Sequence, residues 1–425
     1  MSDAAVTVQR CGRCGHEIAE SAATQRCPDC GGLLELRHPA PPGGGPALRA
    51  LFDARGGLRR GSLSSGVWRY RELVLPTAGE DVLTFPEGNT PLLARPSVTA
   101  WAGASSLLLK HEGHNPTGSF KDRGMTVGAT HARRLGATAV ACASTGNTGA
   151  SLAAYAALAG LPALVLVPRG KIALGKLTQL LAYGARTLAI NGDFDTCLEL
   201  ALEASERLGV YLLNSINPFR LEGQKTIVFE LLQQLGWDPP DWILVPAGNL
   251  GNTAAFGKAL REAREWNLID RVPRIAAVQA AGAAPFARSF AEGFRRPYRV
   301  EAHTVATAIS IGNPASYDRA VAAIRATNGY VTAVSDDEIL EAKAVIDASG
   351  VGCEPASAAS VAGARSLLAQ GVIGAEERLV AVLTGHILKD PEVVTRYHQG
   401  ASPHANPPIE IEPRLAEVEK VLARR

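Results

Sequence analysis

Short apolar runs alternate with helix-like stretches from about residue 80 onward, and this alternation constrains the fold more than any other feature. The runs predict strands at Leu107–Lys110, Ala137–Ala143, Ala163–Pro168, Arg186–Ile190, Val210–Asn214, Trp242–Pro246, Arg274–Gln279 and Leu379–Leu383. The intervening stretches predict helices at Thr148–Ala159, Phe194–Leu208, Gly223–Leu235 and Asn252–Trp266. Ser335 followed by Glu338 adds a capping box at a further helix start. This pattern predicts two α/β domains with parallel sheets, helices on both faces, and ligands at the strand C-terminal ends.

Composition excludes several classes of protein. Of 425 residues, 46% are apolar and 20% are charged, which excludes a disordered or fibrous chain. The 43 basic and 41 acidic residues leave a net charge of +2, so we expect no nucleic-acid partner. No apolar run approaches a membrane span, and the first ten residues do not resemble a secretory signal. We therefore expect a soluble, cytoplasmic protein without a membrane partner.

Four of the seven cysteines fall within the first 30 residues as two Cys-x-x-Cys pairs: Cys11, Cys14, Cys27 and Cys30. Paired motifs of this kind predict a four-cysteine zinc ribbon with tetrahedral Zn²⁺. The alternatives are two disulfides, disfavoured without a secretion signal, or a ribbon without its metal. Four thiolates leave no open position for catalysis, so the zinc would be structural. His16 and His38 are predicted to be surface residues rather than ligands.

Three predicted strands end in clusters rich in Gly, Ser, Thr and Asn: Ser144–Gly149, Ala247–Asn252 and Thr384–His386. A Gly-rich turn that opens onto a helix N-terminus presents free amides and a positive dipole end, which suit an anion. None of the three clusters matches the P-loop or the dinucleotide-binding fingerprint. Because three such clusters follow strands, they predict one shared ligand crevice.

Lys121 is one of only nine lysines in a chain with 34 arginines, and its position is unusual for a cation. It follows a turn-rich segment and directly precedes a helix, where a cation faces the unfavourable end of the helix dipole. An ordinary surface lysine at a helix start is the alternative. The positive dipole end favours a neutral amine, which Schiff-base chemistry requires.

Several segments resemble the fold-type II pyridoxal-phosphate-dependent enzymes: Ser119–Gly124, Ser144–Thr148 and Gly248–Asn252. Within that group, Asn214–Thr226 and Thr384–Asp390 resemble the threonine synthase family most closely. The resemblance covers about residues 80–395 and implies a two-domain fold similar to the β subunit of tryptophan synthase. An N-terminal zinc ribbon also occurs in some members.

The resemblance and a Pro/Gly-rich stretch from Pro39 to Pro46 divide the chain into five parts. The predicted parts are the zinc ribbon (1–38), a linker and lead-in (39–79), a large cofactor-binding α/β domain (80–118 plus 216–400), a small mobile α/β domain (119–215) and a C-terminal tail (401–425).

The resemblance implies a set of contacts to pyridoxal phosphate. Lys121 would form the covalent link to the cofactor, and Asn147 would hydrogen-bond its phenolic oxygen. Phe120 would line the ring pocket, and Thr384 would lie against the pyridine nitrogen. A hydroxyl there, unlike a carboxylate, does not enforce a protonated nitrogen. The cofactor phosphate would be held by the backbone amides of Gly248, Asn249, Leu250, Gly251 and Asn252.

The same resemblance implies a substrate site. Thr145 and Thr148 would receive the substrate carboxylate. The residues implied for a substrate phosphate are Asn214, Ser215 and Arg220. An arginine suits this role because its planar fork bonds two phosphate oxygens at once. Glu354 and His386 also lie in matched segments, and support of the site and a purely structural role stay open for both.

The implied activity is the conversion of O-phospho-L-homoserine and water to L-threonine and phosphate, by γ-elimination and then addition of water at Cβ. Lys121 would move most of the protons, and a homodimer is expected. One alternative is a sister enzyme that acts on a β-substituted amino acid, such as a cysteate synthase or a serine/threonine dehydratase. The other is a zinc-ribbon regulatory module that binds nucleic acid and takes up no cofactor.

Overall fold

The computed structural model describes residues 6–144, 146–170, 174–192 and 194–423. The strands are β1 Val8–Cys11, β2 Glu17–Ala19, β3 Leu34–Arg37, β4 Leu92–Ala94, β5 Ser106–His111, β6 Ala139–Ala143, β7 Ala163–Pro168, β8 Arg186–Ile190, β9 Val210–Leu212, β10 Trp242–Pro246, β11 Arg274–Ala280, β12 Tyr330–Val334 and β13 Arg378–Leu383.

The helices are α1 Gly45–Gly56, α2 Arg71–Val74, α3 Pro96–Ala102, α4 Lys121–Arg134, α5 Asn147–Ala159, α6 Leu174–Ala182, α7 Phe194–Leu208, α8 Pro218–Gln234, α9 Gly251–Glu265, α10 Pro285–Ala291, α11 Tyr317–Ala326, α12 Asp336–Ala348, α13 Pro355–Ala369, α14 Pro391–Gln399 and α15 Leu415–Ala423. In the described part of the chain, no helix combines the length and the apolar character needed to cross a membrane.

The larger sheet has the strand order β12-β11-β10-β13-β5-β4, and only the edge strand β4 is antiparallel to its neighbour. Its central strand β10 is buried along its whole length. Ile243 and Val245 face one apolar core, whereas Trp242 and Leu244 face a second core on the other side. Helices therefore cover both faces of this sheet, as the continuous apolar runs predicted.

The smaller sheet has the order β8-β7-β6-β9, and all four strands are parallel. Val140 and Cys142 face one core of this sheet, and Ala139 and Ala141 face the other. The whole sheet lies within residues 119–215, and the boundaries of that domain stay a prediction.

All eight predicted strands are present, and their observed ends lie within two residues of the predicted ends. The capping box at Ser335 is confirmed, since its side chain and that of Glu338 each bond the other's backbone amide. The prediction missed β4 and β12. It also began α8 five residues late, because the side chain of Asn217 caps a helix whose first residue is Pro218.

The N-terminal ribbon is a three-stranded antiparallel sheet, β2-β1-β3, that packs against helices α8 and α9. Lys258 Nζ donates to the Leu36 carbonyl at 2.5 Å, and His38 Nε2 lies 3.1 Å from Glu222 Oε2. The prediction that His38 is a surface residue is wrong: its side chain is only 1% exposed. Thr7 and Glu222 bond its two ring nitrogens, which compensates for the burial.

Candidate active site

A cavity lies where the carboxyl ends of strands from both parallel sheets face each other. Its walls include the residues that follow β6, β10 and β13, and the start of α4. The predicted site residues that line it are Phe120, Lys121, Asn147, Thr148, Asn214, Ser215, Gly248, Asn249, Leu250, Gly251, Asn252 and Thr384. The structure therefore brings together most of the side chains that the sequence placed in one crevice.

Lys121 is the first residue of α4 and lies in the cavity wall. Backbone hydrogen bonds to the segment after β13 hold the loop that precedes it. The Phe120 amide donates to the Thr384 carbonyl at 3.1 Å, and the His386 amide donates to the Gly118 carbonyl at 2.9 Å. Burial, followed by the charge of Arg220, lowers the pKa of Lys121 to about 7. A large fraction of this amine is therefore neutral and nucleophilic near neutral pH.

Residues Gly248–Asn252, between the end of β10 and the first turn of α9, form a cradle of backbone amides. Leu250 adopts a left-handed conformation with φ of 62°, a strained position for a branched side chain. A Cβ on Gly248 would lie only 2.8 Å from Cα of Ile309, so a larger residue does not fit without movement. The first amides of the fifteen-residue helix α9 point out of this turn, an arrangement that suits a bound anion.

Buried polar atoms without a partner surround this cradle. Among the described residues, Asn252 Oδ1, Thr253 Oγ1 and Gln224 Oε1 are buried and have no hydrogen-bond partner. Native proteins leave few buried polar atoms unpaired, so a cluster of them indicates a place for a ligand. Gln224 lies in the matched segment on α8 but received no role from the sequence, and it lines the cavity.

Glu354 connects two of the predicted cofactor contacts. Its carboxylate accepts from Asn147 Nδ2 at 2.9 Å and from Thr384 Oγ1 at 3.2 Å, and the residue is 1% exposed. Because a carboxylate only accepts, the amide nitrogen of Asn147 must face it. Asn147 Oδ1 is left buried without a partner. The sequence had left the role of Glu354 open, and the structure places it in the cavity wall.

Arg220 lies behind the cavity wall rather than in it. It is fully buried, and burial lowers its pKa to about 10. Its Nη1 donates to the Leu213 carbonyl at 3.1 Å, but Nε and Nη2 have no partner. Ser215 and Asn249 lie in the cavity wall, where Asn249 Nδ2 donates to Ser215 Oγ at 2.7 Å. This part of the structure therefore holds a buried cation with two unused donors.

The other three residues predicted to contact the substrate are Thr145, Thr148 and Asn214. Thr148 is in the first turn of α5 and lines the cavity, whereas Thr145 lies outside the described residues. The amide of Asn214 makes two bonds of 3.0 Å to the backbone of Ala143, so it fastens the end of β6. The sequence missed Thr307 and Ile309, which also line the cavity, because no motif marks their segment.

The four ribbon cysteines form a separate cluster. Their sulfur atoms all lie within 4.8 Å of one another, and none of the four lines the cavity. Sulfur pairs approach to between 3.4 and 3.6 Å, and none of the pairs is a disulfide. Tetrahedral zinc with Zn–S bonds of about 2.3 Å would set sulfur atoms about 3.8 Å apart. The geometry of the cluster is thus compatible with that coordination.

Comparison with known proteins finds a matching family profile and two relatives that share a single name. The profile of the family described as "Pyridoxal-phosphate dependent enzyme" matches residues 83–385. A protein of Methanocaldococcus jannaschii called "Threonine synthase" is 43% identical over 98% of this chain and 99% of its own length. A "Threonine synthase" of Methanosarcina acetivorans is 45% identical over 91% of this chain and 93% of its own length.

A solved structure has the same fold. The "Crystal Structure of Threonine Synthase from Escherichia coli" superposes with a TM-score of 0.72 and 22% identity, over 96% of this chain and 94% of that one. The fold class expected from the resemblance is therefore confirmed. On the sequence matches, this chain belongs to the pyridoxal-phosphate-dependent enzymes and, within them, to the threonine synthase family.

Proposed function

We propose that this protein converts O-phospho-L-homoserine and water to L-threonine and phosphate, with pyridoxal phosphate as cofactor. The observation that carries the proposal is the placement of Lys121 in a cavity between two places suited to anions. One is the amide cradle before α9, and the other is the region of Ser215 and Arg220. A phosphorylated cofactor and a phosphorylated substrate need one such place each.

The residues fit the cofactor on grounds independent of the family. Lys121 supplies an amine with a lowered pKa, as a covalent link to an aldehyde requires. The cradle of Gly248–Asn252 offers backbone amides to a phosphate, and a Cβ at Gly248 would obstruct it. Asn147 and Thr384 face the space between, where they would contact the ring.

Pyridoxal phosphate, when bound, supplies the electron withdrawal that lets protons leave carbons next to the amino group. Lys121 is the general base we propose for the Cα proton and for the Cβ proton, because its amine lies in the cavity wall. Its lowered pKa lets the same amine return one proton to Cγ after phosphate has left, which forms the methyl group, and one to Cα after water has added at Cβ.

Arg220 would hold the substrate phosphate and neutralise the charge that develops as it leaves Cγ. Ser215 would donate a further hydrogen bond from the cavity wall. Thr148, in the first turn of α5, would receive the substrate carboxylate at a helix N-terminus. Thr145 is proposed for the same carboxylate on the basis of the resemblance.

Incubation with competing substrates tests the function. The cofactor-loaded protein is given O-phosphohomoserine, O-phosphoserine, serine or threonine, and amino acids, keto acids and phosphate are measured. We expect threonine and phosphate in equal amounts from O-phosphohomoserine alone. Turnover of O-phosphoserine would assign a sister enzyme, and deamination of serine or threonine would assign a dehydratase. A colourless protein that takes up no cofactor would favour the regulatory module.

We also propose that the four ribbon cysteines bind one structural Zn²⁺. The ribbon packs against α8 and α9, so its folding supports the helices that carry Arg220 and the cradle. The variants Cys11→Ser and Cys27→Ser should lose zinc and unfold at lower temperature than the control Cys197→Ser, whose buried thiol lies outside the cluster. Loss of turnover with folding intact would contradict a purely structural role.

A cytoplasmic homodimer is the assembly and location we propose, on the basis of the family resemblance. Light scattering after size-exclusion chromatography should give twice the 44.5 kDa mass of the chain. A monomer that is fully active would contradict the dimer.

A further inference from the structure

The carboxylate of Asp122, the residue after Lys121, bonds two separate parts of the chain around the cavity. Its Oδ2 accepts from the backbone amide of Thr117 at 2.7 Å, and its Oδ1 accepts from Thr117 Oγ1 at 2.6 Å. Oδ1 also accepts from Ser151 Oγ at 2.6 Å. All three residues are at most 1% exposed, so water does not compete freely for these bonds.

The bond from the Thr117 amide does not depend on whether Asp122 carries a proton. A backbone amide can only donate, so Oδ2 is the acceptor in either state. Burial raises the pKa of Asp122 to about 6, although the hydrogen bonds from Ser151 and Thr117 oppose that rise. The carboxyl group is therefore largely ionised at pH 8, where both hydroxyl groups donate to it.

An acidic residue in the first turn of a helix ordinarily stabilises the helix through its dipole. Asp122 occupies such a position in α4, and an exposed aspartate there would have the same benefit. Asp122 is instead fully buried, which is costly for a carboxylate unless its hydrogen bonds are made. The helix dipole therefore does not account for the burial, and the groups that the carboxylate connects must be considered.

These bonds connect the loop that leads to Lys121 with the helix that carries two other predicted site residues. Thr117 lies four residues before Lys121, and Ser151 lies in α5, whose first two residues are Asn147 and Thr148. Lys121, Asn147 and Thr148 all line the cavity. One carboxylate thus fixes the start of α4 relative to the first turn of α5.

The same loop is held from a second direction. Gln179 Nε2 donates to the Thr117 carbonyl at 3.2 Å, and Lys389 Nζ donates to Gln179 Oε1 at 2.5 Å. Thr117 is therefore bonded through its amide, its hydroxyl group and its carbonyl. Gly118 follows with φ of 82°, and a Cβ there would lie 3.0 Å from Lys389 Cε. The loop before Lys121 thus has little room to move while Asp122 holds it.

We propose that Asp122 is a positioning residue that holds Lys121 at a fixed place relative to the first turn of α5. This rests on the proposed function, because it requires Lys121 to link the cofactor and to move the protons. The charges that act on the Lys121 amine are those of Arg220 and Glu354, so Asp122 acts through position rather than through its own charge. A displacement of about 1 Å at a reacting group can cost about 10²-fold in rate.

The test uses full-length variants loaded with pyridoxal phosphate at pH 8, and it records the visible circular dichroism of the bound cofactor. This band depends on how the ring is held, and it requires no turnover. Asp122→Leu, which cannot accept a hydrogen bond, should change the band and lower kcat about 10²-fold. Asp122→Asn should retain most of both, because its oxygen can accept from the Thr117 amide while its nitrogen donates to the two hydroxyl oxygens.

Substitution of the two hydroxyl donors separates the two parts that the carboxylate connects. Ser151→Ala releases α5 alone, so KM for O-phosphohomoserine should rise by a larger factor than kcat falls. Thr117→Val removes a bond from the loop, so kcat should fall by the larger factor. These two variants decide the question if Asp122→Leu does not fold.

Ser289→Ala is the matched control, because it removes a buried serine hydroxyl group from α10, and it should keep both the band and the rate. A folded Asp122→Leu variant with the wild-type band and kcat overturns the inference, and so do wild-type values in both Ser151→Ala and Thr117→Val. Equal damage in Asp122→Asn and Asp122→Leu also overturns it, since charge would then matter and not position. Failure of the wild-type protein to take up the cofactor would instead overturn the proposed function, so the two failures are distinguishable.

Discussion

Two buried polar regions lie close together along helices α4 and α8, and they differ in how their charges are paired. In the first, Arg123 bonds Glu112 and Glu230 at 2.7 Å each, and Lys110 bonds Glu230 at 2.6 Å. These four side chains, which we call the ionic cluster, are at most 2% exposed. In the second region, the cavity and the wall behind it, Arg220 has donors without partners.

The comparison teaches that residue type alone does not identify a functional site. Arg123 is only two residues from Lys121, and Glu230 is ten residues from Arg220 on the same helix. Burial would raise the pKa of Glu230, but the charges of Arg123 and Lys110 hold it well below its usual range. The ionic cluster is paired within the protein, whereas the cavity and the wall behind it hold buried polar atoms that have no partner among the described residues.

Loss of Lys121 should have the largest effect on chemistry. Lys121→Ala removes the amine that links the cofactor and moves the protons, so turnover should fall below detection. The yellow absorbance of the linked cofactor should disappear as well. The cofactor-free variant should resist urea at least as well as the wild type, because the burial that lowers the pKa of the amine costs stability near neutral pH. The exposed-lysine variant Lys420→Ala is the control, and retained turnover in Lys121→Ala would refute the assignment.

Loss of Arg123 should have the largest effect on stability. Arg123→Met leaves Glu112 and Glu230 buried with too little positive charge, which costs about 3–5 kcal/mol of unfolding free energy. The same substitution at the exposed pair of Arg207 and Glu203 should cost at most about 1 kcal/mol. Urea unfolding measures both values, and equal costs would remove the distinction between buried and exposed pairs.

Loss of Arg220 should lower activity without lowering stability, the reverse of what we expect for Arg123. Arg220→Met removes a buried cation with unused donors, so the cofactor-free protein should be as stable as the wild type or more stable. Loss of charge-assisted bonds worth about 1.5–3 kcal/mol should lower kcat/KM for O-phosphohomoserine about 10- to 150-fold. An unchanged kcat/KM would mean that Arg220 does not hold the substrate phosphate.

Lys121 should also make the stability of the cofactor-free protein depend on pH. Its pKa is about 7 in the folded protein against an ordinary value of 10.5, so between these values the unfolded chain binds more protons. The free energy of unfolding of the cofactor-free protein should therefore rise from pH 7 toward pH 10.5. Lys121→Met should remove that part of the rise. Identical pH profiles for the two proteins would contradict the lowered pKa.

Much of this architecture could be predicted from the sequence, because strand-forming runs and Gly-rich strand ends are local signals. The parallel sheets follow from continuous apolar runs such as Trp242–Pro246, which both cores bury. The late start predicted for α8 was avoidable, since Asn217 followed by Pro218 is itself a helix-start signal. His38 was misplaced because the partner that buries it, Glu222, is 184 residues away.

The sequence predicted which residues form the candidate site, but it did not predict the hydrogen bonds between them. Motifs named Asn147 and Thr384, yet only the folded chain brings both to the carboxylate of Glu354. Gln224 stood in a recognised segment without a role, because its distance from the cradle depends on how α8 packs against α9. Pairing across the fold is a property of tertiary structure, and it decides what each polar group can do.

The structure of the protein with both pyridoxal phosphate and inorganic phosphate bound would test the central claim most directly. We predict cofactor density continuous with Lys121 Nζ and its phosphate in the cradle of Gly248–Asn252. A second phosphate should bond Arg220, and the ionic cluster should be unchanged. Cofactor bound elsewhere, or a second phosphate that leaves Arg220 without a partner, would contradict the claim that these unpaired groups are the ligand site.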